Sequence, residues 1–388
     1  MSKWSLPVLV VVTLFLLVSV PVFGEEIVST MADQKEVAVT IYNEDLALVR
    51  DQRQVALPEG TIDLALREVS ARIRPETALL SSLTRPGGLT ILEQNFDFDL
   101  LTPGKLLEKY VGKDVQLVRT HPETGKDIFE TARVLSANSG VVLQVGDRIE
   151  TGAPGRLVFP DVPKNLRDRP TLVVSLDNEQ AGQQTLELSY LTSGLGWRAD
   201  YVAELNAEDT ELDLSGWVTL TNQSGTTYGN ALLQLVAGDV NRVQEQMRVR
   251  KAVMMEDAVS MAASAPMREE SLFEYHLYSL QRPTTIRNNQ TKQVSLLNAS
   301  SVPVQKEFRL QGSPYYYRGQ QGDLGQKLKV GVFVEFDNRK EDNLGMPLPK
   351  GVVRVYKQDQ SGSPQFVGED RIDHTPENQT VRLKLGDA

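Results

Sequence analysis

Apolar and polar residues alternate along this chain with a period of two. Between Thr210 and Thr221, Leu212, Leu214, Val218 and Leu220 fall on one side, with Glu211, Asp213 and Ser215 on the other. Successive side chains of an extended strand point to opposite faces of a sheet, so this spacing describes strands with one solvated face. Val37–Ile41, Leu172–Leu176, Thr185–Leu191, Lys327–Phe336, Val352–Tyr356 and Val381–Leu385 show similar runs. Turn-forming stretches separate them: Pro58-Glu59-Gly60, Pro86-Gly87-Gly88, Asn222-Gln223-Ser224-Gly225, Asn343-Leu344-Gly345 and Ser361-Gly362-Ser363-Pro364. Half-solvated strands joined by such turns belong to antiparallel sandwiches and barrels rather than helix-covered parallel sheets. The expected class is all-β: antiparallel β-sandwich domains, an inserted small SH3-like barrel and few short helices.

The chain of 388 residues predicts several units. Residues 25–101 read as an N-terminal β domain. A short helix follows, with Thr102 as cap, Pro103 in the first turn, Leu106, Leu107 and Tyr110 on one side and Gly112 placed to end it. About four short strands then crowd into residues 102–162, the spacing of a small barrel, and the Pro-rich stretch Pro160 to Pro170 reads as a linker. Residues 171–241 open a sandwich that 271–388 continue. Between them, residues 242–270 are Met-rich and poor in aromatic or β-branched residues, and predict a flexible excursion. The run Val381–Leu385 lies next to the chain end, which predicts an edge strand whose partners are missing and a truncated C-terminus.

The compartment is read from the first residues. Lys3 precedes an apolar run from Leu6 to Val20, closed by Pro21-Val22-Phe23-Gly24, and Glu25-Glu26 opens a polar chain. This fits a signal peptide over residues 1–24, cleaved near Gly24, and a periplasmic or secreted protein. The run is shorter than the ~20 residues a spanning helix needs, so contact with a membrane is expected only through this segment if it stays uncleaved. The chain contains no cysteine, which excludes disulfides, thiolate metal sites, cysteine nucleophiles and a lipid-modified N-terminal cysteine. With 41 basic against 51 acidic residues the formal net charge is -10, so no nucleic-acid partner is expected.

Leu188-Ser-Tyr-Leu-Thr-Ser-Gly-Leu-Gly-Trp197-Arg-Ala-Asp-Tyr201, Ser215-Gly-Trp-Val-Thr-Leu-Thr-Asn222 and Ala231-Leu-Leu-Gln-Leu-Val-Ala-Gly238 resemble the bacterial domain-of-unknown-function family DUF4139. Phe273–Tyr278, Thr291–Leu297, Gly345–Pro349 and Gly351–Tyr356 fit the same pattern, so the resemblance covers about half the chain, from near Leu172 onward. It implies an exported or envelope β-sheet protein, distantly similar to the mucoidy-inhibitor-A-like group. It implies no activity and no catalytic residues.

Chemistry-bearing patterns are weak. Gly194-Leu195-Gly196-Trp197-Arg198 lacks the third glycine and following helix of a phosphate loop. It reads better as a tight turn, with Trp197 over the sheet and Arg198 paired to Asp200 or Glu204. His121, His276 and His374 lie far apart and match no metal spacing. Asp337-Asn338 with Glu341-Asp342-Asn343 misses the calcium-loop pattern and reads as a solvated hairpin loop. Asp97 and Asp99 alternate with Phe96 and Phe98 and are expected to share an exposed strand face. Neither a G-x-S-x-G nor a P-loop occurs. No catalytic, metal or cofactor site is therefore expected. The candidate interaction surface is Tyr315-Tyr316-Tyr317-Arg318, an aromatic run suited to a sugar or protein partner. The function expected is non-enzymatic binding of an envelope protein or polysaccharide. Two readings compete with it. One is an envelope polysaccharide or peptide hydrolase using acids such as Asp97, Asp99 or Glu335; the other is a calcium-stabilised adhesion domain.

Overall fold

A computed structural model describes residues 26–238 apart from 44, 98, 164 and 165, together with 267–272, 275–310, 312, 319 and 328–388. The expected signal segment and most of the Met-rich segment lie outside the described residues. The strands, in chain order, begin with β1 (Ile27–Ser29), β2 (Gln34–Tyr42), β3 (Leu46–Leu57), β4 (Gly60–Arg67), β5 (Leu79–Ser82) and β6 (Leu89–Asp97). Helix α1 (Pro103–Lys109) leads into β7 (Asp114–Thr120), β8 (Asp127–Ser136), β9 (Val142–Val145), β10 (Arg148–Thr151) and β11 (Arg156–Val158). Next come β12 (Thr171–Asn178), β13 (Gly182–Thr192), β14 (Leu195–Leu205), β15 (Glu211–Asn222) and β16 (Tyr228–Ala237). After them lie β17 (Met267–Leu272), β18 (Tyr275–Leu280), β19 (Thr284–Ile286), β20 (Gln290–Pro303) and β21 (Gln305–Arg309). The last are β22 (Gly331–Asp337), β23 (Gly351–Gln358), β24 (Pro364–Ile372) and β25 (Thr380–Asp387).

The fold is all-β. An eight-stranded sheet, ordered β17-β18-β16-β2-β3-β13-β5 with β19 beside β16, joins strands from both ends of the sequence. A four-stranded sheet (β1-β4-β12-β6), a five-stranded one (β20-β15-β14-β23-β24) and a three-stranded one (β21-β22-β25) complete the larger body. One continuous core runs through it, from Val37, Val39 and Ile41 to Val353, Val381 and Leu383. The stretches 25–101 and 171–241 therefore contribute to the same sheets and the same core. Most pairings are antiparallel, but among the described residues β1 with β4, β2 with β16 and β14 with β23 are parallel. Met267 to Glu270, the end of the expected excursion, belong to strand β17. The run expected from Lys327 begins as a strand only at Gly331. β25 pairs along one side with β22, and on its other side the Lys384 amide donates to Asp370 Oδ2 of β24 at 2.7 Å.

The inserted unit has its own core of Tyr110, Val115, Leu117, Ala132, Val134, Leu143 and Val145. Its sheet runs β10-β9-β8-β7-β11, a meander whose fifth strand returns beside the first, as in an SH3-like barrel. It holds five strands rather than four; β10 escapes notice in the sequence because its residues are mostly solvated. Thr102 caps α1 by accepting from the Lys105 amide, and Gly112 adopts φ +82° beyond it. The two connections to the barrel are clasped together. Leu100 bridges Arg167, whose guanidinium donates to both Glu26 oxygens at 2.8 and 2.7 Å and to Asp97 at 2.9 Å.

Buried polar groups tie the sheets. Arg53, 1% exposed, donates to Asp51, Ser29 O and Arg67 O, while Gln34 occupies the other Asp51 oxygen. Leaving one partner of such a pair alone in a core costs ~3–5 kcal/mol. Ser70, Thr192, Ser224, Asn222, Tyr190 and Tyr228 form a second buried cluster, centred on a 2.6 Å contact between the Ser70 and Thr192 hydroxyls.

Candidate functional site

The sequence stretches that carry the family resemblance converge around β14, β15 and β23. On the inner side, Trp197 is buried, donates from Nε1 to Val236 O at 3.3 Å and meets the Tyr278 ring edge-on at 6.4 Å. Tyr201 donates to Pro349 O at 2.8 Å, and Tyr278 to Pro347 O at 2.9 Å, so two buried phenols hold the Gly345–Pro349 segment against the sheet. Burial pushes the Tyr201 phenol well above its ordinary range, which keeps it a neutral donor. β23 can then lie parallel to β14 only because residue 351 is glycine. A Cβ there would sit 2.4 Å from Ala199 O and 2.9 Å from Tyr201 Cε2.

Alternation sends the neighbouring residues to the opposite, solvated face. In register across four strands lie Trp217, Asp200, Val352 and Arg371. Asp200 is the hub: Arg198 Nε reaches it at 3.2 Å, Arg354 Nη1 at 3.3 Å, and the Thr219 hydroxyl donates to it at 2.9 Å. Arg354 also reaches Glu369 at 3.3 Å. The Lys350 amide donates to His374 Nδ1 at 3.3 Å, fixing the loop that carries this lysine. Together Arg198, Asp200, Lys350, Arg354, Arg371 and Asp373 line an open groove of about 400 Å³. The groove brings the cations Arg198, Lys350, Arg354 and Arg371 together with the carboxylates Asp200 and Asp373, and Glu369 pairs with Arg354 beside it. The Arg371 guanidinium and the Asp373 carboxylate are exposed and make no side-chain hydrogen bond or ion pair among the described residues. Trp217 is partly exposed directly opposite Asp200, three strands from Arg371, and its indole N–H donates to no described residue.

The residues singled out in the sequence are distributed differently. The turn expected over Gly194 to Arg198 is confined to Ser193-Gly194, because β14 already begins at Leu195. Gly194 has φ +85°, a Cβ on it would lie 2.8 Å from Gln223 and Ser224 backbone, and Arg198 pairs with Asp200. Asp97 and Asp99 do not share a strand face. β6 ends at Asp97, which pairs with Arg167, while Asp99 sits below α1 and pairs with Lys109 at 2.9 Å. Glu335 lies on β22 between Arg309 and Arg382. A hydrogen bond from Lys109 lowers the Asp99 carboxyl, and one from Arg382 lowers that of Glu335. A general acid needs the opposite shift. Around Asp337 the loop is organised by Asn338, which is fully buried rather than solvated. Its amide donates to Met346 O, Thr375 O and Pro376 O and accepts from the Gly345 amide.

His121 accepts two turn amides, and His276 lies on β18 beside Tyr278. Among the described residues no group of three or more His, Asp or Glu side chains is placed to hold a metal ion. Tyr315, Tyr316, Tyr317 and Arg318 lie outside the described residues. The groove residues Lys350, Arg371 and Asp373 carry no local signature. Only the outward phase of the alternation marks Arg198, Asp200 and Trp217 as sharing a face. No family model matches the chain, and no curated protein shows significant similarity to it.

Proposed function

We propose that this is an exported envelope protein of the DUF4139 type that works by presenting a binding surface, not by catalysis. The observation that carries this reading is the groove on the solvated face of β14, β23 and β24, where the Arg371 guanidinium and the Asp373 carboxylate stand exposed and without a side-chain partner among the described residues. Rigid strands hold these groups in place, and a binding site needs that pre-organisation. The acids considered for hydrolysis are each neutralised by cations on separate elements, which favours binding over acid–base chemistry. The leader-like residues 1–24 support export. No helix among the described residues is long and apolar enough to cross a membrane.

The test is fractionation and photo-crosslinking in intact cells, with a crosslinker at Val202 on the groove face and a control at Leu92 on β6. Recovery in the envelope fraction, with an adduct formed from position 202 and not from 92, is the expected result. Retention in the cytosol, or turnover of a polysaccharide or peptide that Glu335→Gln abolishes, would overturn the proposal.

A further inference from the structure

We infer that a second groove, lined by Gln34, Glu68, Arg169, Thr227 and Asn288, binds a small zwitterion, a molecule that carries both an ammonium and a carboxylate, as an amino acid or short peptide does. Its walls come from segments far apart in the chain: the turn at Met31–Asp33, the residues after β4, those entering β12, the β15–β16 turn and the β19–β20 turn. Three observations point to this ligand. First, the two charged residues on the walls do not neutralise each other. The segments that carry them are joined, because the Glu68 amide donates to Pro170 O at 2.9 Å and, one residue earlier on each, Arg67 pairs with Asp168. Yet Glu68 and Arg169 form no ion pair, and the exposed Arg169 side chain has no hydrogen-bond or ionic partner among the described residues. Second, Glu68 is held in place. It adopts φ +64°, a left-handed backbone that is strained for a residue other than glycine and persists only where the surroundings impose it. Here the bond to Pro170, the Thr226 hydroxyl on Glu68 O at 3.0 Å and the Met31 amide on Oε2 at 3.1 Å impose it. Oε2 is thereby occupied, while Oε1 has no partner among the described residues. Third, neutral groups of both kinds remain on the walls. Gln34 donates from Nε2 to Asp51, which leaves its Oε1 as an acceptor, and Asn288 Oδ1 accepts from the Gly225 amide, which leaves its Nδ2 as a donor. An ammonium thus finds the Glu68 and Gln34 oxygens, and a carboxylate finds the Arg169 fork and the Asn288 amide. A purely anionic ligand would meet the Glu68 carboxylate, and a purely cationic one the Arg169 guanidinium. The volume of about 450 Å³ falls within the ~300–1,000 Å³ usual for small-ligand sites.

The experiment titrates the full chain by calorimetry with alanyl-alanine, with its N-acetyl form, which lacks the ammonium, with its amide, which lacks the carboxylate, and with free alanine. Alanyl-alanine is expected to bind, and each blocked form to bind at least tenfold more weakly. Arg169→Gln is expected to weaken the dipeptide about tenfold and to erase its advantage over the amide. Glu68→Gln, which keeps an oxygen for the Met31 amide, is expected to erase its advantage over the acetylated form. Circular dichroism of each variant confirms its fold, and Arg371→Gln, in the groove of β14, β23 and β24, leaves binding unchanged. Free alanine binding as tightly as the dipeptide supports the inference and assigns the site to amino acids; weaker binding of alanine supports it and assigns the site to peptides. The inference is overturned if neither alanyl-alanine nor alanine binds at millimolar concentration, if the blocked forms bind as tightly, or if neither variant changes the discrimination. The two grooves share no lining residue, so such a failure leaves the Val202 crosslink, and the binding-surface reading it tests, untouched.

Discussion

Tyr228 is 2% exposed, and its hydroxyl donates to Ser224 Oγ at 3.2 Å inside the cluster that joins β4, β13 and the β15–β16 turn. Burial, partly offset by hydrogen bonds from neighbouring hydroxyls, pushes its phenol from 10.0 up to about 12. The folded state therefore keeps this proton longer than the unfolded chain does. The associated stability is complete below pH 10.0 and is lost as the pH rises through about 12. Tyr228→Phe should cost ~1 kcal/mol at pH 7 for the lost hydroxyl contacts. By pH 11 the wild type should have lost ~1.4 kcal/mol that the variant does not lose. Urea denaturation of both proteins at pH 7, 9, 10 and 11 measures this, and a parallel pH dependence would refute it. The sequence makes only some of these residues legible. Trp197 and Arg198 announce themselves by type and spacing. Asn338 and Ser70 do not, because an uncharged polar side chain looks the same in a sequence whether it faces water or fills a core.

Elements were legible where their ends are chemically marked. Thr102, Pro103 and Gly112 delimit α1 without reference to anything distant, and alternation marks β15 from end to end. β10 is short and mostly solvated, so it has no pattern to read. The pair Asp97 and Asp99 was misplaced for a related reason: period two extends a strand until something stops it. What stops β6 is the clasp at the base of the barrel, where Arg167 arrives from 70 residues away to take Asp97. Glu26 and Asp97 also hold the Arg167 guanidinium firmly protonated. Arg167→Gln should lower stability by ~1–2 kcal/mol, since these charged hydrogen bonds are partly exposed. It should also speed amide exchange at residues 99–101 and 166–168 while leaving Leu117 and Leu143 protected. Exchange unchanged across the clasp would show that Arg167 does not hold the barrel's connections.

At the scale of the molecule, the described residues form two cores, one continuous through four sheets and one inside the barrel. Because Leu100 already bridges Arg167, the chain can be closed beneath the barrel without moving the larger body. Removing residues 102–162 and inserting a short Gly-Ser link should leave one cooperative unfolding transition with a smaller m-value, in proportion to the surface removed. An expanded product that binds hydrophobic dyes would contradict this.

The sequence by itself determined that the chain is built of strands, which side of many of them faces water, where α1 begins, and where glycine is needed to turn the chain at Gly194. Each of these follows from the pleat and from backbone sterics, which act over a few residues. Only the tertiary structure decided that β2 lies parallel to β16 and β14 parallel to β23, and that the stretches 25–101 and 171–241 share one core. The choice of neighbour depends on burying complementary faces across hundreds of residues, and alternation is the same for every candidate partner. The groove belongs with these decisions. Arg198, Lys350 and Arg371 meet because Tyr201 and Gly351 bring two distant strands together from the inside of the sheet.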